Sequence, residues 1–283
     1  MCRSTRRVAP ESGAISAVKP HESSYGLVAS MFSKTLTLSS KNIFIAIIAS
    51  NFGNFTMTTS IPTRVLAGIT VPDTPLITKA LAFARERLTD TAYNHVVRCW
   101  LFGQFIASKI PNLQNRDEEV HAITAVLHDL GWDKTGEFVS KDKRFEVDGA
   151  NAARDFLIRE GDEKEWDKHR LQLVWDSIAL HTTASVAMYK EAEVASCAIG
   201  VITDFTGPER SPGGVLTRGV WETVLKEFPR LDFKKGLIEV FCGLCRDKPE
   251  TTYDNFVADI GKDYVEGYSV KGKRFLDILE ATE

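Results

Sequence analysis

Two adjacent residues, His128 and Asp129, close the apolar run Val120, Ile123, Val126 and Leu127 and are followed by Leu130-Gly131. An imidazole nitrogen and a carboxylate oxygen are both good ligands for zinc or iron. Neighbours on a helix project about 100° apart, so both reach one ion only at a helix end or across a groove. Alone, the pair reads as an ordinary polar helix end. Two further residues shift the balance. His95 sits in the middle of a stretch otherwise rich in apolar and aromatic residues, and Asp204 ends the apolar run Ala198-Ile199-Gly200-Val201-Ile202-Thr203. A carboxylate buried there needs a partner, and a cation would supply it. Cys197 and Gly200 precede it on the same side, small enough to let a neighbouring helix approach closely.

The elements that must carry these residues read as helices. Asp73 can cap a first helix with Pro75 in its opening turn, and Leu76, Ile77, Ala80, Leu81, Ala84 and Leu88 recur at helical spacing. A second helix runs from Asp90 or Thr91 to Ile106, with Pro111 beyond it, and Asp117 opens a third that Gly131 stops. Further helices are predicted over 148–159, 166–182, 191–204, 216–228, 233–246 and 254–266, with loops at 132–146 and 205–215. No segment shows sustained period-2 alternation and no repeat recurs at a fixed interval. The expected fold is all-α, a single helical bundle with its site between helices.

The order His95, His128-Asp129, Asp204 matches the H…HD…D pattern, and the chain resembles the HD-domain metal-dependent hydrolases. Tyr93-Asn94-His95-Val96-Val97-Arg98, Leu127-His128-Asp129-Leu130-Gly131, Phe145-Glu146 before Gly149, Leu180-His181 and Thr203-Asp204-Phe205-Thr206-Gly207 look like the cyanamide hydratase family within it. The likeness runs from about residue 62 to about 268 and includes Phe228-Pro229-Arg230 and Lys248-Pro249. It implies one divalent metal, zinc with iron as the alternative, held by His95, His128, Asp129 and Asp204. Water on such a metal falls to a pKa of roughly 7, and the hydroxide would attack a nitrile carbon, as in cyanamide to urea. A proton must also reach the developing nitrogen anion, and Glu146 and His181 are the candidate catalytic groups, with Lys143 behind them. One departure matters: where two-metal HD proteins carry a histidine four residues before the Gly-Ala pair, this chain has Phe145 before Gly149-Ala150. Phenylalanine cannot coordinate, which argues for one metal, although His181 matches another position of the second metal.

Other readings stay open. A phosphohydrolase would use the same ligands with Arg98 and Lys143 holding phosphate, and a non-catalytic binding protein would keep the metal for structure alone. Arg98, one turn after His95, otherwise forms a structural ion pair with a carboxylate, Lys134, Lys141, Lys143 and Arg144 form a solvated face, and His121 is a satisfied core histidine. Trp132, Phe138, Phe145 and Phe205 flank the candidate site in sequence and read mainly as core.

Composition limits the remaining choices. A formal net charge of −3 over 283 residues argues against nucleic acid as a partner. Residues 1–60 carry net +4 against −7 for the remainder, and the segment is rich in Ser and Thr. It reads as an extension or alternative start with Met57 opening the domain, or as a presequence resembling mitochondrial ones. Its apolar run, 43–49, is too short to span a membrane. Residues 61–270 are expected to form the HD domain and 271–283 a tail. Five cysteines without a framework favour a reducing, cytoplasmic setting, or a mitochondrial one if residues 1–56 are a presequence. Cys242-Gly-Leu-Cys245 reads as core packing. The expected partners are a small-molecule substrate and, at most, further copies of the chain, with neither nucleic acid nor membrane.

Overall fold

The computed structural model describes residues 61–282. The expectations for residues 1–60, including the start at Met57 and the run 43–49, lie outside the described residues.

The fold is helical. After a short hairpin, β1 (Thr63–Leu66) paired antiparallel with β2 (Ile69–Pro72), come α1 (Pro75–Arg87), α2 (Asp90–Ala107), α3 (Glu118–Leu127), α4 (Phe145–Glu160) and α5 (Lys168–Leu180). The short α6 (Ala184–Ala187) leads to α7 (Ala192–Thr206), then α8 (Arg218–Glu227), α9 (Phe233–Asp247), α10 (Val257–Tyr264) and α11 (Phe275–Glu280). The hairpin departs from the helical reading. Its strands have four residues each, too short to display alternation, and Ala67 and Gly68 both take positive φ (45° and 78°) as a two-residue turn needs.

Local capping explains where several helices start. Thr74, rather than Asp73, accepts from the Ile77 amide, Thr89 accepts from Ala92, and Asp117 from Glu119 and Val120. α4 starts at Phe145, earlier than its periodicity suggested, and no side chain caps it. The core is centred on α2, α3 and α7, whose faces are buried almost all round: Val96, Val97, Trp100, Leu101, Ile123, Val126 and Ala198 are sealed from solvent. A second cluster joins Phe145 to Phe241, Leu244, Cys245 and Val257, so α9 and α10 close over the start of α4. Cys242 and Cys245 are free, buried residues of α9. No described helix is long and apolar enough to cross a membrane.

Candidate metal centre

α2 and α7 cross so closely that Gly200 presses on the α2 backbone. A Cβ added there would lie 2.1 Å from the Cys99 carbonyl oxygen, and one added at Gly103 would lie 2.8 Å from the Ser196 carbonyl oxygen. The helices run antiparallel in register, 99 beside 200 and 103 beside 196. The same four-residue step brings 95 beside 204. His95 Nδ1 accordingly lies 2.7 Å from Asp204 Oδ2. Only the imidazole has a hydrogen to give, so Nδ1–H donates and Nε2 is left bare.

The other two histidines are set by helix ends. His128 follows the last residue of α3, and its Nδ1 donates to the Ala125 carbonyl at 2.8 Å. His181 follows α5 in the same way, donating from Nδ1 to the Ile178 carbonyl at 2.6 Å. A carbonyl can only accept, so both rings are fixed in the tautomer that leaves Nε2 free. Asp129 leaves the helical path at φ −102° and ψ 20°, which turns its carboxylate toward the rings. The bend is held where Gly131 meets α4: a Cβ there would stand 2.0 Å from the Phe145 carbonyl oxygen.

Three bare nitrogens now face one carboxylate. Asp129 Oδ2 lies 3.2 Å from His128 Nε2 and 3.5 Å from His95 Nε2, and Asp129 Oδ1 lies 3.7 Å from His181 Nε2. His128 Nε2 and both Asp129 oxygens are buried with no hydrogen-bond partner. Acceptors turned toward one another in a sealed site repel unless positive charge sits between them. Burial opposes protonation of His128, yet Asp129 raises its pKa; burial would raise that of Asp129, yet His128, His95 and His181 lower it. Burial and the neighbouring His128 lower His181 to about 4. The donor set fits a divalent cation, and the buried His/Asp cluster can hold one.

Asp204 stands on the outer side of His95. Its carboxylate accepts from Arg98 Nε and Nη2, both at 2.8 Å, as well as from His95, and Arg230 donates to its backbone carbonyl. Burial works against its ionisation, but these donors hold its pKa below the ordinary carboxylate range. Metal-binding histidines are commonly oriented by such a carboxylate. Arg98 is fully buried and spends its remaining donor on the Phe228 and Pro229 carbonyls, so it is not placed to meet a substrate. Cys99, one turn after His95, brings its Sγ to 3.7 Å from His95 Nε2 and within ligand reach of His128. Sequence reasoning passed over this thiol, although its spacing from His95 was visible.

A cavity of about 450 Å³ opens onto the cluster, with His95, Asp129 and His181 at its inner end and Trp132, Phe145, Phe205, Phe241 and Phe256 among its walls. Glu146 does not line it. Its buried carboxylate accepts from Arg144 at 2.5 Å and from the Thr182 hydroxyl at 2.7 Å, and Thr182 does line the cavity. Burial would raise the pKa of Glu146, but Arg144 and its neighbours bring the net shift below the ordinary value, so the resting group is an anion that can accept a proton. Lys143 is half exposed, paired with Asp142 at 3.0 Å, and lies outside the cavity walls. Its carbonyl accepts from the buried Lys248, which also pairs with Asp148 at 2.7 Å and so ties the end of α9 to α4. His121 is buried and accepts from Arg116 Nε at 3.2 Å, away from the cluster.

Residues 92–203 match the HD domain family. The matched stretch begins in the first turn of α2 and ends in α7 one residue before Asp204, taking in His95, the His128-Asp129 turn and His181. HD domains bind divalent metals and are generally metal-dependent hydrolases. The match supports the HD superfamily and does not reach the cyanamide hydratase family. No curated protein matches the chain.

Proposed function

We propose that the chain is a metal-dependent hydratase or hydrolase of the HD superfamily that adds water to a small, uncharged, nitrile-type molecule, with cyanamide to urea as the reference reaction. The observation that carries this reading is the set of three imidazole Nε2 atoms facing the unpartnered Asp129 carboxylate, at the end of a largely apolar cavity that no described Lys or Arg lines. His95, His128, Asp129 and His181 would hold the cation, and Asp204, clamped by Arg98, would orient His95. When bound, a divalent cation acts as a Lewis acid and activates water at neutral pH.

The protein groups have the remaining work. Aromatic walls keep bulk water from the reacting carbon. Thr182 lines the cavity and its hydroxyl donates to Glu146, so a proton released by the attacking water would pass by way of Thr182 to the Glu146 carboxylate and return to the nitrile nitrogen. Arg144 keeps Glu146 ionised between turnovers. The reaction needs no net proton: both hydrogens of the water end on the nitrile nitrogen, one by this route to give the imidic acid and the second as that acid tautomerises to the amide.

The test is metal content per chain together with urea release from cyanamide. About one zinc or iron per chain with urea formed supports the reading. One metal with no amide from any nitrile overturns the hydratase assignment. The HD match favours a second reading, a phosphohydrolase, which release of phosphate from a nucleotide panel would detect. Arg98 and Lys143, the groups expected to hold phosphate, both lie outside the cavity walls.

A further inference from the structure

We infer that the substrate carries an uncharged aromatic or branched apolar group, which fills the cavity while its polar end meets the metal cluster. This rests on the proposed metal centre only for where the reacting end lies. Cyanamide has three non-hydrogen atoms and takes the room of about two waters, roughly 60 Å³. The cavity, at about 450 Å³, is several times larger and falls in the range that accommodates a ligand of many atoms.

The walls say what that ligand is made of. Phe145, Phe241 and Phe256 form a continuous aromatic surface, with ring centroids 5.1 Å apart for Phe241–Phe256 and 6.2 Å for Phe145–Phe241. Ile202, Phe205 and Phe256 also line the cavity, yet 45%, 46% and 41% of their surfaces are exposed. A flat apolar group seated among them would remove that surface from water.

Charge points the same way. Among the described residues, no Lys or Arg lines the cavity, and its charged groups beyond the histidines are Asp129 at the inner end and Asp259. Asp259 is largely exposed and pairs loosely with Lys262 at 3.6 Å, which places it toward solvent. An anionic group would meet carboxylates and no cationic side chain. Arg230 and Lys234 line a neighbouring groove that shares Phe205, Phe241 and Ile260 with the cavity, but not the cavity itself.

The experiment is calorimetric titration of the full chain, metal-loaded and metal-free, with benzonitrile, acetonitrile and phenyl phosphate, with amide formation followed in parallel. Burying a phenyl ring strengthens binding by about ten- to a hundredfold, so benzonitrile should bind at least about tenfold more tightly than acetonitrile, with or without metal. Ile202→Glu, a change at a half-exposed position, and Phe256→Ala should each weaken benzonitrile at least about fivefold. Equal affinities for the two nitriles would overturn the inference, as would phenyl phosphate binding metal-free protein more tightly than benzonitrile. The underlying reading fails separately. Tight benzonitrile binding with no amide from benzonitrile or cyanamide supports the apolar substrate and removes the hydratase; urea formation with no preference for benzonitrile does the reverse.

Discussion

At the scale of single residues, the centre depends on three imidazoles held in one tautomer and a carboxylate stripped of donors. Asp129→Asn removes the charge that opposes the cation, so metal content should fall below about a tenth of an ion per chain while far-ultraviolet circular dichroism is retained. The roles of His181 and Asp204 separate by magnitude. Loss of an outer orienting group lowers metal affinity by about ten- to a hundredfold, and loss of a ligand lowers it further. In competition with a chelator, His181→Gln should therefore lose more affinity than Asp204→Asn; the opposite order would make Asp204 the ligand. Glu146 offers a pH signature. Its folded pKa lies below the unfolded value of about 4.3, so its ionised form adds stability above that pH, which is lost as pH falls through the folded pKa. Glu146→Gln should cost about 1.5–3 kcal/mol at pH 7 in denaturant titrations, and the gap to the parent chain should narrow below about pH 4.

Among the elements, the α2–α7 crossing is the least forgiving part of the fold. Gly200→Ala puts a methyl group 2.1 Å from the Cys99 carbonyl oxygen, and neither helix backbone can retreat without moving His95 or Asp204. Overpacking of this kind costs about 3 kcal/mol, and thermal unfolding should show the drop together with weakened metal binding. Much of this level was legible in the chain. His95 and Asp204 stand out because each interrupts an apolar helix, and the small residues beside Asp204 announce a close approach. Arg98, one turn after His95, reads first as a structural ion pair with a carboxylate, and it does pair with Asp204, although the two lie 106 residues apart. The sequence casts His181 as a proton carrier; in the fold, burial and the neighbouring His128 disfavour its charged form, and its end-of-helix hydrogen bond leaves Nε2 turned to Asp129. Nothing in local sequence reports that orientation, since it depends on how α5 docks.

For the molecule as a whole, the buried His/Asp cluster and the cavity come from different parts of the chain. The cluster is built from α2, α3, α5 and the bends that follow α3 and α5, and the walls include Phe241 of α9 and Phe256 beside α10. Those two aromatics carry no motif, and only the tertiary packing of α9 and α10 onto the start of α4 makes them walls, which is why Phe205 and Phe145 drew attention in the sequence and Phe241 and Phe256 did not. The last helix, α11, contributes no buried residue, and Phe275, Leu276, Ile278 and Leu279 are all more than half exposed. Removing residues 271–283 should consequently leave the melting temperature within about 2 °C of the full chain, with metal content unchanged.

The shared four-residue step of α2 and α7 also bears on how the chain can vary. Substitutions at most exposed positions leave the facing registers intact, but a residue inserted between His95 and Gly103 turns everything on one side of it by about 100° relative to the other. His95 would then point away from Asp204 although every side chain of the centre was still present. The spacing within these two helices is thus under tighter constraint than their composition, and length changes belong in the loops that join them.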